Sequence, residues 1–150
     1  MNQDTILSCM QGYVKPLSES KDKAFREKLS GDGVLITPSS SMLMSPFDGT
    51  VVLVFSTKHA IILRRDDGLA LVIHVGIEVD KLKGDGFIVH VVDGQDVHQG
   101  DLLMELDTAY LKSIHYDTDT HVLFPSLGIR ELKQIHYGEI KFLEPLCEIE

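Results

Sequence analysis

One histidine in this chain stands alone among apolar residues. Residues 69–77 read Leu-Ala-Leu-Val-Ile-His-Val-Gly-Ile, so the imidazole of His74 is the one polar side chain in a run typical of a buried strand. A buried imidazole is either a structural residue hydrogen-bonded to the backbone or a group that does chemistry, and spacing alone leaves both alternatives open. Gly76 favours chemistry, because a glycine lets groups of another molecule approach the backbone closely.

A second histidine, His59, is predicted to lie beside the first. It precedes the apolar run 60–63, and the sequence Asp-Asp-Gly at 66–68 predicts a tight turn in which Gly68 supplies the positive φ. His59 lies eight residues before Asp67 and His74 seven after it, so two antiparallel strands would face the rings toward each other. Two neutral imidazoles can bind a metal, relay a proton, or act as nucleophile and stabiliser in phosphoryl transfer, and the spacing does not choose among these.

The other histidines carry no motif that indicates chemistry. They lie in predicted strands or turns beside polar residues, without a His-x-His or His-Glu-x-x-His spacing. We interpret all five as exposed or partly buried structural residues: His90, His98, His115, His121 and His136.

The elements that must position these residues are predicted to be mostly strands. Residues 18–29 predict a short surface helix capped at Ser18 or Ser20, and residues 110–113 a second helical turn. From Gly31 onward, short runs rich in Val, Ile and Leu alternate with Gly-Asp and Asp-Gly turns, which predicts an all-β, antiparallel sandwich or partly closed barrel. The predicted strands are 34–37, 49–55, 60–64, 69–75, 87–92, 102–106, 121–124 and 137–142.

Composition and charge narrow the classes of function. With 150 residues, 43% hydrophobic and 25% charged, and without a long linker, the chain is expected to form one domain over residues 1–150. A net charge of -9 argues against binding to nucleic acid or to anionic lipid. We expect a cytoplasmic protein without membrane insertion, because there is no signal peptide and no apolar run long enough to span a bilayer. Cys9 and Cys147 are expected to be reduced.

Several segments around the two histidines resemble a known family. Residues 45–51 read Ser-Pro-Phe-Asp-Gly-Thr-Val, residues 55–60 Phe-Ser-Thr-Lys-His-Ala, and residues 72–77 Val-Ile-His-Val-Gly-Ile. These motifs resemble the glucose-type enzyme IIA of the phosphoenolpyruvate-dependent sugar phosphotransferase system, and the similarity continues through residues 81–87, 97–101 and 138–140. The resemblance implies an antiparallel β-sandwich of the duplicated hybrid type, with the active site in a shallow apolar depression.

The resemblance also implies roles for individual residues. His74 would be the histidine that the phosphocarrier protein HPr phosphorylates, and it would pass the group to a cysteine of a IIB domain in the sugar transporter. His59 would stabilise the phosphate and serve onward transfer more than acceptance, and Thr57 would orient His59. Neutral imidazole is a good nucleophile at neutral pH, and donors such as His59 and backbone N–H groups near Gly76 would stabilise the transferring group, so no cofactor is required.

A docking face for partners is implied as well. Its apolar members would be Ala24, Phe25, Phe55 and Val72. Asp22 and Glu78 match acidic positions that receive an arginine of the carrier. The chain departs from the family at Asp80, where an apolar residue is common, at His121, where a proline is expected after Thr120, and at 125–126, where Pro-Ser replaces Ser-Asn. These departures leave the identity of the partner open.

Other functions remain possible on the sequence alone. A regulatory protein could use the phosphorylation state of His74 to choose partners. A zinc hydrolase is suggested by the run from His74 to Glu78, which resembles His-x-Gly-x-Asp, but the required His-x-His is missing. A lipoyl or biotinyl carrier lacks a lysine at an exposed hairpin tip. His59 and His74 could also capture zinc adventitiously, and neither the sugar nor a free-standing rather than fused state can be deduced.

Overall fold

The fold is built almost entirely from short antiparallel strands. The computed structural model describes residues 4–77 and 84–150. The strands in this part of the chain are β1 Thr5–Leu7, β2 Gly12–Pro16, β3 Asp32–Pro38, β4 Met42–Met44, β5 Gly49–Val54, β6 Ala60–Arg65, β7 Ala70–Val75, β8 Phe87–Val89, β9 Asp96–Val97, β10 Leu102–Leu106, β11 Thr120–Phe124, β12 Leu132–Lys133, β13 Gly138–Ile140 and β14 Pro145–Ile149. The helices are α1 Lys23–Arg26 and α2 Thr108–Ser113, with a 3-10 turn at Leu17–Glu19. The predicted all-β class with short helices is confirmed.

Three sheets in residues 4–77 and 84–150 share one apolar core. The largest has the order β13-β2-β3-β11-β7-β6-β5-β9, and the smaller ones have the orders β1-β14-β12 and β4-β10-β8. One cluster of buried side chains includes Ile61, Ile73 and Val122 from the large sheet, Leu146 from the sheet of β1, β14 and β12, and Leu103 from the sheet of β4, β10 and β8. Burial of such side chains is the main favourable contribution to folding, so the cluster holds the sheets together as an antiparallel β-sandwich. No helix in the described part of the chain has the length and apolar character needed to cross a membrane.

The hairpin of β6 and β7 forms as the sequence predicts. Ala60 lies opposite His74 in its register. Its turn is closed by the N–H of Arg65 donating to the carbonyl of Leu69 at 2.8 Å, and Gly68 has a φ of 97°. The Arg65 guanidinium also donates to the Asp67 carboxylate at 2.8 and 2.6 Å. A local turn therefore sets the register that brings the two histidines to neighbouring strands.

The first helix is shorter than predicted and has a different cap. Instead of spanning 18–29 from Ser18 or Ser20, α1 begins after Asp22, whose carboxylate accepts from the N–H groups of Ala24 at 2.8 Å and Phe25 at 3.2 Å. Ser20 lies in extended backbone and its hydroxyl is bonded elsewhere. The helix stops because Lys28 adopts a φ of 60° and Leu29, 73% exposed, finds no apolar surface to cover.

The eight predicted strands all appear, seven of them with shifted ends and β10 with the predicted ends, but six strands were not predicted. These are β1, β2, β4, β9, β12 and β14, which have two to five residues each. The strand predicted at 87–92 ends at Val89. Cys9 and Cys147 are free, as expected, and both are buried, which raises the pKa of each thiol to about 12.

Candidate functional site

His74 lies on the outer face of the large sheet, near the end of β7. Its neighbours Ile73 and Val75 are 1% and 0% exposed and point into the core, while Val72 and His74 are half-buried on the opposite face. Successive side chains of a strand point to opposite faces, so the apolar run around His74 is amphipathic in the structure rather than buried on both sides. The strand places the imidazole between β6 and β11.

His59 faces His74 from the adjacent strand. The Nε2 atoms of the two rings lie 3.2 Å apart, and the ring planes are nearly perpendicular at 86°. The N–H of Val75 donates to the carbonyl of His59 at 2.8 Å, which continues the hairpin pairing one residue beyond β6. The side chain of His59 is only 2% exposed. The predicted juxtaposition of these two histidines is therefore present.

The turn between β5 and β6 fixes the orientation of His59. The N–H of Lys58 donates to the carbonyl of Phe55 at 2.8 Å, and Lys58 adopts a φ of 62°. This turn brings the hydroxyl of Thr57 to 2.6 Å from Nδ1 of His59. Phe55 packs edge-on against the same imidazole, with ring centroids 5.6 Å apart. One nitrogen of His59 is thus occupied by Thr57, and the other is directed at His74.

Burial keeps both rings in the neutral form. Burial, and after it the charge that His74 could carry, lower the pKa of His59 to about 4. Burial also lowers the pKa of His74, against the opposing influence of the carbonyls of Gly76 and His74 and of the Asp22 carboxylate. Nδ1 of His74 is buried, and no hydrogen bond of normal geometry reaches it from the described residues. At neutral pH the site therefore holds two uncharged imidazoles whose Nε2 atoms face each other.

A third histidine, His121, borders the site on the other side of His74. Strands β7 and β11 pair so that His121 lies opposite His74, and its Nδ1 is 3.3 Å from the carbonyl oxygen of His74. Its Nε2 is 2.7 Å from the hydroxyl of Ser20, and the ring is 1% exposed. The interpretation of this residue as exposed or partly buried is wrong, because the segment around Ser20 and α1 covers it. Burial lowers its pKa to about 4.

Phe25 of α1 closes the space between two of these imidazoles. Its ring centroid lies 5.0 Å from that of His74 and 4.1 Å from that of His121. Phe25, Phe55 and Val72, three members of the predicted apolar face, are each half-buried around the histidines. The carboxylate of Asp22 holds the N-terminus of α1, a structural task that the sequence analysis did not assign to it. Glu78 lies outside the described residues.

Comparisons with known proteins identify the family of the chain. The family model for the phosphoenolpyruvate-dependent sugar phosphotransferase system, EIIA 1, matches residues 4–127. The chain belongs to this family. A solved structure, glucose permease IIA from Mycoplasma capricolum, superimposes with a TM-score of 0.87 at 29% identity, covering 97% of this chain and 94% of that one. The chain is therefore a phosphotransferase component with a phosphoryl-transfer role in this sugar-transport system.

Within this EIIA fold, Gly76 has a different purpose from the one expected. Its φ is 74°, and a Cβ at this position would overlap the hydroxyl of Tyr116. That hydroxyl donates to the carbonyl of Val75 at 2.6 Å, and the N–H of Gly76 donates to the carbonyl of Asp119 at 2.9 Å. The close approach to the glycine is therefore made by the chain's own tyrosine, and the N–H is not available to a phosphate.

The four remaining histidines, His90, His98, His115 and His136, are exposed, as interpreted from the sequence. His90 pairs with Glu105 at 3.0 Å, His98 lies near Asp101 on the surface, and His136 is bonded to the carbonyl of Glu139. Residues 4–77 and 84–150 contain no group of three or more His, Cys, Asp or Glu side chains that could hold a metal ion. His59 and His74 supply two nitrogens, and a tetrahedral zinc would need two more ligands.

Proposed function

We propose that Nε2 of His74 accepts a phosphoryl group from phosphohistidine in HPr and then donates it to a cysteine thiolate of a IIB domain. The observation that carries this proposal is the 3.2 Å separation between the Nε2 atoms of His74 and His59. A neutral imidazole nitrogen with its lone pair directed toward a partly open surface is a competent nucleophile for phosphorus. Family membership supplies the reaction class.

The hydrogen bonds around His59 support a tautomer that leaves His74 nucleophilic. If the hydroxyl of Thr57 donates to Nδ1 of His59, the proton of the neutral His59 ring is on Nε2. That N–H then points at the lone pair of Nε2 in His74, and the proton of His74 is on Nδ1. The reverse assignment would place a proton on the proposed nucleophile, so the Thr57 hydroxyl acts as the donor in this account.

The two transfer steps exchange one bond to phosphorus for another. In the first, the N–P bond of the carrier's phosphohistidine breaks, its electron pair returns to the carrier's imidazole, and the Nε2–P bond of His74 forms. In the second, the thiolate sulfur forms an S–P bond while the Nε2–P bond breaks, and the electron pair returns to His74. The proton on Nδ1 of His74 stays in place through both steps.

His59 acts once the phosphoryl group is bound to His74. A group on Nε2 of His74 lies next to Nε2 of His59, whose N–H can donate to a phosphoryl oxygen. The loose transition state of phosphoryl transfer spreads negative charge over three oxygens, so a fixed donor lowers its energy. Thr57 keeps that donor oriented, as a hydroxyl 2.6 Å from the opposite ring nitrogen.

The half-buried side chains around the histidines form the docking face in this proposal. Phe25 and Phe55 contact the rings of His74 and His59, and Val72 lies two residues before His74 on the same face of β7. A partner that covers these side chains excludes water from the phosphoryl group during transfer. Asp22 places a negative charge beside α1 that suits an arginine of the carrier, and we assign Glu78 the same task.

Intact-mass measurement tests the proposal. The protein is incubated with phosphoenolpyruvate, enzyme I and HPr, and the same reaction is run with His74→Gln. One acid-labile, base-stable phosphate is expected on the wild-type protein and none on H74Q, with H98Q as a matched control because the side chain of His98 is 79% exposed. Phosphate on H74Q would refute the assignment of the acceptor.

A further inference from the structure

The carbonyl of His74 is connected to helix α1 by a chain of hydrogen bonds. His121 reaches the carbonyl of His74 with Nδ1 at 3.3 Å and the hydroxyl of Ser20 with Nε2 at 2.7 Å. The same hydroxyl accepts from the N–H of Asp22 at 3.1 Å, and Asp22 caps α1. Phe25, on that helix, packs against the rings of both His121 and His74. His121 therefore contacts both β7, which carries His74, and the segment that precedes α1.

The proton positions in this chain follow from the acceptors present. The carbonyl of His74 can only accept, so Nδ1 of His121 carries the proton and donates to it. Neutral His121 then has a lone pair on Nε2, which accepts from the hydroxyl of Ser20. Both ring nitrogens are satisfied, which a ring that is 1% exposed requires, because an unpaired buried nitrogen would be costly.

We propose that His121 is a positioning residue for the phosphoryl acceptor, holding His74 and the Phe25 helix in one arrangement through its two ring nitrogens. This inference rests on the proposed role of His74. A buried polar group bonded at both ends favours one packing arrangement over its alternatives, even where it adds little stability. His121 does not touch the phosphoryl group, since its nitrogens are directed at the main chain and at Ser20. It acts on the reaction through the position of His74 and of Phe25.

The two ends of the chain of hydrogen bonds predict different kinetic effects. On the His74 side, losing the donor loosens the nucleophile and slows the transfer step itself. On the Ser20 side, losing the hydroxyl loosens α1, which weakens docking of the carrier without displacing the nucleophile. If His121 served folding alone, its loss and the loss of the Ser20 hydroxyl would not separate in this way between the transfer rate and the docking of the carrier.

Single-turnover transfer from radiolabelled phospho-HPr, at a series of carrier concentrations, tests the proposal on four proteins. His121→Phe keeps the ring contact with Phe25 but loses both hydrogen bonds, His121→Asn keeps a donor where Nδ1 was, and Ser20→Ala loses only the helix side. Relative to wild type, H121F is expected to lower the limiting rate constant by about tenfold, because small displacements of a reacting group are costly in rate. H121N should stay within about threefold of wild type in that constant. S20A should leave the limiting rate constant unchanged and raise the half-saturating HPr concentration by about threefold or more.

The possible outcomes separate this proposal from the proposed function. If wild-type protein takes no phosphate on His74, the proposed function fails. If it does, and H121F or S20A matches wild type in both kinetic constants, the positioning role is overturned while the proposed function stands. If H121F does not fold, ring ¹⁵N NMR of His74 is measured on S20A and H121N instead. A single Nδ1–H tautomer of His74 in wild type and H121N supports the proposal, and a mixture of tautomers in H121N contradicts it.

Discussion

His74 has a buried histidine on each side, and the two are used in opposite ways. On the β6 side, His59 is 2% exposed and directs Nε2 at Nε2 of His74. On the β11 side, His121 is 1% exposed but directs its nitrogens at a main-chain carbonyl and at Ser20. Both have a pKa lowered to about 4, by burial first. Burial and a low pKa therefore identify neutral imidazoles, but only orientation shows which of them can reach a phosphoryl group.

The first and largest predicted effect concerns the lowered pKa that His59 and His121 share. Because the folded-state pKa of His59 and His121 lies below the ordinary value of 6.5, the unfolded chain binds more protons between about pH 6.5 and pH 4. Stability is therefore fully present above pH 6.5 and falls as the pH drops toward 4, by on the order of 3 kcal/mol for each ring. Urea unfolding as a function of pH measures this loss.

Variants assign the pH-dependent loss to the two rings. H59Q and H121N should each flatten the profile between pH 6.5 and pH 4, and H98Q should leave it unchanged. A profile in H121N as steep as in wild type would mean that His121 is not held neutral in the folded protein.

The second effect concerns the end of β7, which positions His74 between His59 and His121. Gly76→Ala should destabilise the fold by about 3 kcal/mol, because the new methyl group overlaps Tyr116 at a backbone φ of 74°. Gly68→Ala is the matched control: its φ is 97° but no atom lies within 4 Å of the added carbon, so only backbone strain of about 1 kcal/mol remains. Thermal and urea unfolding distinguish the two, and equal losses would refute the steric explanation.

The third effect distinguishes the roles of His59 and His121 by the kinetics of the two transfer steps. His59→Leu should leave acceptance from phospho-HPr within a few fold but slow transfer to a IIB cysteine by about a hundredfold, because a donor to the phosphoryl oxygens is lost. H121F should show the opposite pattern, with acceptance slowed. Paired rapid-quench measurements of both steps provide the comparison, and slowed acceptance in H59L with normal donation would reverse the assigned roles.

The fourth and smallest effect compares the hydroxyl groups behind the two rings. Thr57→Val should slow donation to the IIB cysteine by about tenfold, because His59 loses the partner that fixes its tautomer. Thr57→Ser should restore most of the rate, since the hydroxyl remains. Ser20→Ala, behind His121, should leave the limiting rate constant of donation unchanged. If T57S is as slow as T57V, the hydroxyl alone does not explain the role of Thr57, because the methyl group is then needed as well.

The part of the site that could be predicted depends on local structure. The Asp-Asp-Gly turn at 66–68 fixes the hairpin register, so counting residues from it was enough to place His59 beside His74. The eight predicted strands are those whose apolar residues form clear runs. The fold class followed from the same runs and their turns.

The part that could not be predicted depends on pairing between distant segments. His121 joins the site only because β11 lies next to β7, 47 residues apart in sequence at the His74 contact. Ser20 looked like a helix cap because a serine before charged helix formers usually is one, but its hydroxyl is bonded to His121 and Asp22 caps the helix. Strands such as β2, which carries Lys15 and Pro16, are specified by the neighbours they pair with rather than by their own residues.

The most direct test of the account is ring ¹⁵N NMR of histidine-labelled protein before and after phosphorylation by phosphoenolpyruvate, enzyme I and HPr. The account predicts that one ring, absent from the spectrum of H74Q, acquires phosphate on Nε2. The ring of His59 should keep its proton on Nε2 and shift in response, while the proton of His121 stays on Nδ1. Phosphate on Nδ1 of His74, or on either flanking ring, would contradict it.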